Sequence, residues 1–190
     1  MRCLSCENLS WLLICKNCQN NLLKPSFYKR RLLDDFFIYS FYNYDEIKEF
    51  INSKYQFYGD KIFNILGSIA FQQFANNFEF TQVVTAIPID DHTRHDFSQS
   101  AILAKHLKSK FITPVYGTLK ATNIVKYAGK DLNFRQRNKR NLNYNGKTNL
   151  KIILVDDLVT TGLTILESKK ALEQYQCEVL FALTLSDANV

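Results

Sequence analysis

No apolar run in this sequence reaches the roughly 18 residues that a helix needs to cross a bilayer, so nothing in it reads as a membrane span. The first residues, Met1-Arg2-Cys3, lack the apolar stretch and small-residue cleavage site of a secretory leader. The expectation is a cytosolic protein. The sequence shows no internal repeats. Acidic residues are almost missing from one long tract: Lys120, Lys126, Lys130, Arg135, Arg137, Lys139, Arg140 and Lys147 face only Asp131. Two readings of that tract stand, a surface for a polyanionic partner and a solvated loop kept soluble by its charge.

What is present is a globular composition. The chain has 190 residues, of which 46% are hydrophobic and 22% charged. That suffices for one full core with a small appendage. Four of the five cysteines fall in the first eighteen residues, as Cys3-x2-Cys6 and Cys15-x2-Cys18. Each Cys-x2-Cys pair makes a tight knuckle that aims two thiolates at one point, and two knuckles make the tetrahedral sulfur site that suits Zn2+. A disulfide pair is the rival reading, disfavoured where no export signal precedes it. Four protein ligands leave no open position for water, so the metal is expected to be structural. The segment is too short for a core of its own, and metal binding would supply its folding energy. Lys16 within the second knuckle, and Lys24, Lys29, Arg30 and Arg31 after it, either touch nucleic acid or keep the knuckle soluble. Cys177 reads as an ordinary thiol.

Residues 19–34 read as a linker. The run FFIYSFYNY, Phe36 to Tyr44, reads as a strand; its aromatics either fill the core or stack on unpaired bases. Asp45 and Asp60 are placed to cap two helices, the second carrying Ile62, Phe63, Leu66, Ile69 and Ala70 on one face. Val83 to Ile89 reads as a buried strand ending in a polar loop, Asp90 to Asp96. Ser98 caps the helix that follows, and Phe111 to Val115 is a further strand. The basic segment from Gly117 to Asn149 shows only a weak helical stretch near Arg135 to Leu142. Then come a strand from Lys151 to Val155, a helix from about Leu163 to Gln174 and a strand from Glu178 to Leu183. Strands alternating with helices imply an α/β fold: a parallel sheet flanked by helices on both faces, with ligands beyond the carboxyl ends of the strands.

The stretch IILVDDLVTTGLT, Ile152 to Thr164, joins an apolar strand to Asp156-Asp157 and then to Thr160-Thr161-Gly162. A helix starting near Leu163 presents unpaired N–H groups and the positive end of its dipole, a seat for a phosphate. Thr160, Thr161 and Thr164 add hydroxyls, and Gly162 lets the backbone approach. The two acids would repel a second phosphate and suit a cis-diol or a divalent cation. A ribose 5-phosphate meets these demands. The lysine of a Walker loop is missing, and so is the G-x-G-x-x-G dinucleotide fingerprint. A plain helix cap needs only one of these residues.

ILVDDLVTTGLT resembles the 5-phosphoribosyl-1-pyrophosphate (PRPP) loop of type I phosphoribosyltransferases. Across almost the whole chain the sequence resembles one branch, the ComF family of bacterial competence proteins, through the cysteine pairs, KYQFYGD (Lys54 to Asp60), AIPI followed by FSQSAILA, and KRNLNY (Lys139 to Tyr144). The resemblance implies a small amino-terminal zinc module, residues 1–27, joined to a type I phosphoribosyltransferase-like domain, residues 28–190. Asp156 and Asp157 would bind the ribose hydroxyls, one of them through Mg2+. Thr160, Thr161, Gly162 and Thr164, with Val159 and Leu163 completing the loop, would hold the 5-phosphate. HDFSQ stands at His95 to Gln99 where the family has Arg-Gly-Phe-Asn-Gln, so Arg94 is the guanidinium nearest the pyrophosphate. Lys16, Lys126, Arg135, Arg137, Lys139 and Arg140 would contact single-stranded DNA during natural transformation. A DNA-translocating ATPase at the inner face of the cytoplasmic membrane would be a companion. No sequence element identifies a nucleobase pocket or catalytic residues, and an active phosphoribosyltransferase of nucleotide salvage is the alternative reading.

Overall fold

Ile152 to Leu154 are wholly buried, and they run through the middle of the main sheet. In a computed structural model, which describes residues 1–33, 35–89, 97–123 and 140–190, this strand is β7 (Lys151–Val159). The other elements are α1 (Lys16–Leu22), β1 (Tyr28–Leu33), β2 (Phe36–Asn43), α2 (Tyr44–Asn52), α3 (Gly59–Ile69), α4 (Phe71–Asn77), β3 (Val84–Pro88), α5 (Gln99–Lys105), β4 (Ile112–Pro114), β5 (Leu119–Ala121), β6 (Leu142–Tyr144), α6 (Leu163–Glu173) and β8 (Glu178–Asp187). The main sheet has the order β1-β2-β8-β7-β3-β4. All its pairs are parallel except β1 against β2. The fold class is α/β, as the alternation of strands and helices implies. No helix among the described residues is long and apolar enough to cross a membrane.

Two apolar layers cover the sheet. On one face Val84, Ala86, Ile153, Val155 and Leu183 pack with Ile47, Ile62, Phe63, Leu66, Leu103 and Ala104 of α2, α3 and α5. On the other, Ile38, Ile87, Ile152, Leu154 and Ala182 pack with Ile165 and Leu172 of α6. The winding direction changes between β3 and β7. From β3 the chain passes through α5 to β4 and one edge; from β7 it passes through α6, on the opposite face, to β8 and the other edge. Connections that diverge in this way leave a crevice at the carboxyl ends of the two strands, the ordinary ligand site of such sheets.

Several expectations need correction. Residues 19–34 are no linker: α1 runs to Leu22 and β1 begins at Tyr28. Asn43, not Asp45, caps α2, in a capping box with Glu46. Asp60 lies in the first turn of α3, one residue inside the helix. Ser98 does cap α5 as expected, accepting the Ala101 N–H. As expected, the aromatic run forms a core strand, β2, with Phe36, Phe41 and Tyr42 buried, but Tyr44 already opens α2. The ends of the basic segment are not structureless, since β5 and β6 pair antiparallel, Leu119 opposite Tyr144. The helical stretch expected near Arg135 to Leu142 lies outside the described residues up to Lys139, and Leu142 itself is in a strand.

The amino-terminal segment shares the core of the sheet. Ile14 and Leu23 are wholly buried, and both belong to the layer that contains Phe41 and Tyr42. The Tyr42 hydroxyl donates to the Leu23 carbonyl at 2.7 Å. Burial first, and the Glu46 charge second, push that phenol well above its ordinary pKa, so it stays a donor.

Candidate functional site

β7 does not stop at Val155. It continues through both acids to Val159, because β8 continues beside it: Asp156 pairs with Thr184, Leu158 with Ser186 and Val159 with Asp187. Thr184, Ser186 and Asp187 are buried, so the carboxyl end of the sheet is polar where its middle is apolar. Successive strand residues point to opposite faces. Ile152 and Leu154 face α6, while Ile153 and Val155 face α2 to α5. Continuing the alternation, Asp156 joins the lining of a small cleft with Leu158, Val159, Thr160, Thr161, Gly162 and Thr164. Asp157 turns to the opposite face, where its Oδ2 meets Nζ of Lys54, a residue of the short turn after α2, at 3.0 Å.

The cleft floor is the turn into α6. Gly162 caps that helix with φ +80°, a left-handed conformation that strains any other residue. A Cβ there would also lie 2.5 Å from Leu32 Cδ1. Glycine at the N-cap position has no side chain to accept the N–H groups of the first turn. Thr161 Oγ1 accepts the Leu163 N–H only at 3.5 Å, and the Leu166 N–H bonds Gly162 O at 3.0 Å. The first turn therefore faces the cleft with donors and the positive dipole end.

The turn is braced from outside. Arg30 Nε donates to Asp187 Oδ2 at 2.6 Å, and its Nη2 donates to the Thr160 carbonyl at 3.0 Å. Asn189 Nδ2 donates to the same carbonyl at 2.6 Å. Arg30 is thus committed to the fold and is not an open nucleic-acid contact. Lys29 lies over the Phe37 ring at 4.0 Å, a neighbour the sequence did not suggest.

Cations flank both acids. Asp156 sits well above the ordinary carboxylate range, through burial first and the negative charge of Asp157 second; Arg140 and the Asp157 N–H, bonded at 2.9 Å, oppose this. Arg140 N–H donates to Glu167 Oε2 at 3.3 Å. Burial lowers the Lys54 ammonium, but the charge and hydrogen bond of Asp157 raise it further, with smaller help from Tyr55 and Asp156, and it ends above its ordinary value. Asp157, one of the two acids of which the resemblance gives one to Mg2+, already has the Lys54 ammonium in contact. The residues present do not fit a metal ligated directly by that carboxylate.

A consequence for stability follows from the raised Asp156. Its folded pKa lies above the unfolded value near 3.8, so ionisation opposes folding. The cost is absent below that value and grows as pH rises through the folded pKa. Asp156→Asn should therefore raise the melting temperature at pH 8 and leave it unchanged near pH 3.5. A shift of equal size at both pH values would show that charge is not the cause.

At the other end of the molecule Cys3, Cys6, Cys15 and Cys18 bring their sulfurs within 4.8 Å of one another, an arrangement that can hold a metal ion. The Cys6 and Cys15 sulfurs are 3.7 Å apart. Backbone N–H groups point at the sulfurs, from Cys15 to Cys3 Sγ at 3.2 Å and from Cys18 to Cys15 Sγ at 3.5 Å. Burial raises the Cys3 thiol, but the N–H groups of Cys15, Cys6 and Ser5 together bring it down to about 6. Cys177, outside the cluster, is buried beside the Lys147 carbonyl.

Of the remaining residues expected at a site, Lys16 is exposed and bonds Gln19 Oε1 at 3.4 Å. Arg94, Lys126, Arg135, Arg137 and Lys139 lie outside the described residues. Sequence reasoning missed Arg30 and Lys54 as parts of the site. The KYQFYGD segment was the only signal for Lys54, and nothing local marked Arg30.

No family model and no curated protein matches the sequence. Among solved structures, a hypoxanthine phosphoribosyltransferase from Staphylococcus aureus aligns over 67% of this chain at 12% identity, with a TM-score of 0.40. The chain spans 64% of that enzyme's length. An adenine phosphoribosyltransferase aligns over 88% of this chain and 89% of its own, at 11% identity and a TM-score of 0.35.

Proposed function

We propose that the chain binds PRPP in the crevice at the carboxyl ends of β3 and β7, holds Zn2+ in its four cysteines, and handles single-stranded DNA during natural transformation. The observation that carries the ligand is the turn from Thr160 to Thr164. It sets an uncapped helix start and a left-handed glycine against the carboxylate of Asp156 across one cleft. An esterified phosphate suits the first and ribose hydroxyls the second. The chain leaves β3 beside Val155, where the acids of β7 begin: Pro88 pairs with Val155 and the Ile89 N–H donates to Val155 O at 2.8 Å.

Zinc is supported by the sulfur spacing. A tetrahedral ion with Zn–S bonds of about 2.3 Å has S···S edges of about 3.8 Å, and the Cys6–Cys15 separation is 3.7 Å. Single-stranded DNA is supported by the basic tract and by exposed aromatic rings beside cations. Trp11 is 97% exposed and Phe57 90%, and Lys54 Nζ lies 5.7 Å from the centre of the exposed Tyr55 ring. Unpaired bases stack on such rings.

Titration calorimetry of PRPP, with and without a short DNA single strand, tests the proposal. The wild-type protein should bind PRPP. Asp156→Ala with Asp157→Ala should weaken it by about a hundredfold or more, the loss of two charged hydrogen bonds, while a cooperative melting transition remains. Unchanged affinity in the double variant would refute the ligand assignment. DNA affinity should fall with salt with a slope of about −0.7 per neutralised phosphate; salt-insensitive binding would remove that half of the proposal. Release of pyrophosphate from PRPP only when a nucleobase is added would instead make the protein a salvage enzyme.

A further inference from the structure

Lys54 reaches the site from a part of the chain remote from it in sequence, and it is held there firmly. After α2 the chain makes one 3₁₀ turn, Ser53 to Tyr55. Gln56 N–H bonds Ser53 O at 2.8 Å, and Gly59 N–H bonds Gln56 O at 3.0 Å. A Cβ at Gly59 would lie 2.4 Å from Ser53 O and 3.1 Å from both Lys54 Cα and Phe97 Cζ. Only a glycine lets the turn close this tightly. The turn is thereby wedged against Phe97, at the entry to α5, and it rests on the carboxyl end of β7 through Asp157. At that position the Lys54 side chain is 21% exposed and that of Asp157 17%.

An ion pair at 3.0 Å with both partners mostly shielded from water is a strong local contact. A divalent cation ligated by Asp157 would have to lie within about 2.1 Å of a carboxylate oxygen, beside a fixed ammonium. The two positive charges would repel at short range, in surroundings with little water to screen them. Arg140 acts in the same direction on the neighbouring acid, where its charge opposes the rise of Asp156.

We infer that Lys54 occupies the place of a protein-bound divalent cation at Asp157, so that the free crevice carries its own organic counter-ion and any ligand requiring a metal must bring it. This inference rests on the reading of the crevice as a sugar-phosphate site, yet its test does not depend on that ligand. Asp157 is left with acceptor capacity, because a carboxylate with one ammonium on one oxygen still accepts further hydrogen bonds. The arrangement therefore favours hydroxyl donors over a bare ion at this carboxylate.

The experiment uses the zinc-loaded full chain and Mn2+ as the probe, followed by electron paramagnetic resonance of the unbound ion; Mn2+ competes poorly for thiolate sites. Lys54→Met should raise Mn2+ affinity by about tenfold or more over wild type. That gain should vanish in Lys54→Met combined with Asp157→Asn, and Lys54→Arg should behave as wild type. Melting curves of each variant establish that it is folded. Equal Mn2+ affinity in wild type and Lys54→Met overturns the inference, as does tight binding by wild type that Asp157→Asn abolishes. A separate PRPP titration of the wild-type protein decides the underlying reading. If PRPP fails to bind while Lys54→Met gains its Mn2+ site, the sugar-phosphate reading falls and the counter-ion role stands.

Discussion

Replacing Cys15 and Cys18 together by serine is expected to strip the protein of zinc and to unfold residues 1–25 before the rest of the chain responds. Metal binding in small zinc modules is worth on the order of 10 kcal/mol at neutral pH. Serine oxygen does not replace thiolate sulfur at such an ion. What remains to hold the segment is the burial of Ile14 and Leu23 against the sheet and the Tyr42 to Leu23 hydrogen bond. Two buried aliphatic side chains contribute about 3–6 kcal/mol, which falls short of ordering some twenty-five residues. Elemental analysis should find one zinc per wild-type chain and none in the variant. Hydrogen exchange should show the amides of residues 1–25 open while those of β3 and β7 stay protected. One zinc per chain in the variant would contradict the four-thiolate site.

The second large effect is expected at a single arginine. Arg30→Leu should destabilise the fold by about 3–5 kcal/mol, the usual cost of leaving one buried charge without its partner. Asp187 is fully buried, whereas Arg30 keeps 21% of its side chain exposed. The penalty should therefore be lopsided. Asp187→Asn should cost clearly less, because it leaves behind a cation with access to water and an amide that still accepts the Asn189 N–H. Denaturant unfolding of the two variants measures this. Equal costs would mean that lost contacts, not an unpaired charge, dominate. Arg30→Leu also removes one of the two donors to the Thr160 carbonyl, so it should weaken PRPP binding even where the protein remains folded.

These two sites differ in how far the sequence disclosed them. The cysteine cluster was legible because its signal is local: two Cys-x2-Cys pairs state their geometry in eighteen residues. The same holds for β3, β4, the start of α6 and the Ser98 cap, where apolar runs and a capping residue lie next to each other. β1 was hidden by its chemistry. Its residues alternate half-buried and exposed, Tyr28 in and Lys29 out, Arg30 in and Arg31 out. The inward position that should read as apolar is an arginine, and its partner lies 157 residues away. A buried charge pair disguises the period of a strand until both partners are in view. Lys54 was missed for the same reason, since Asp157 stands 103 residues further on. The end of β7 was misplaced because two carboxylates look like the close of an apolar strand; only β8, with its buried Thr184, Ser186 and Asp187, shows that the ladder continues.

The margins of the main sheet bear on how copies of this chain can meet. One margin is β4, three residues long and ending in Pro114, which has no N–H to offer. The other is β1, whose solvent-facing positions include Lys29 and Arg31. Short length, proline and outward cations are the devices by which natural sheets refuse a further strand. Growth of the main sheet from one molecule into the next is thus disfavoured at both ends.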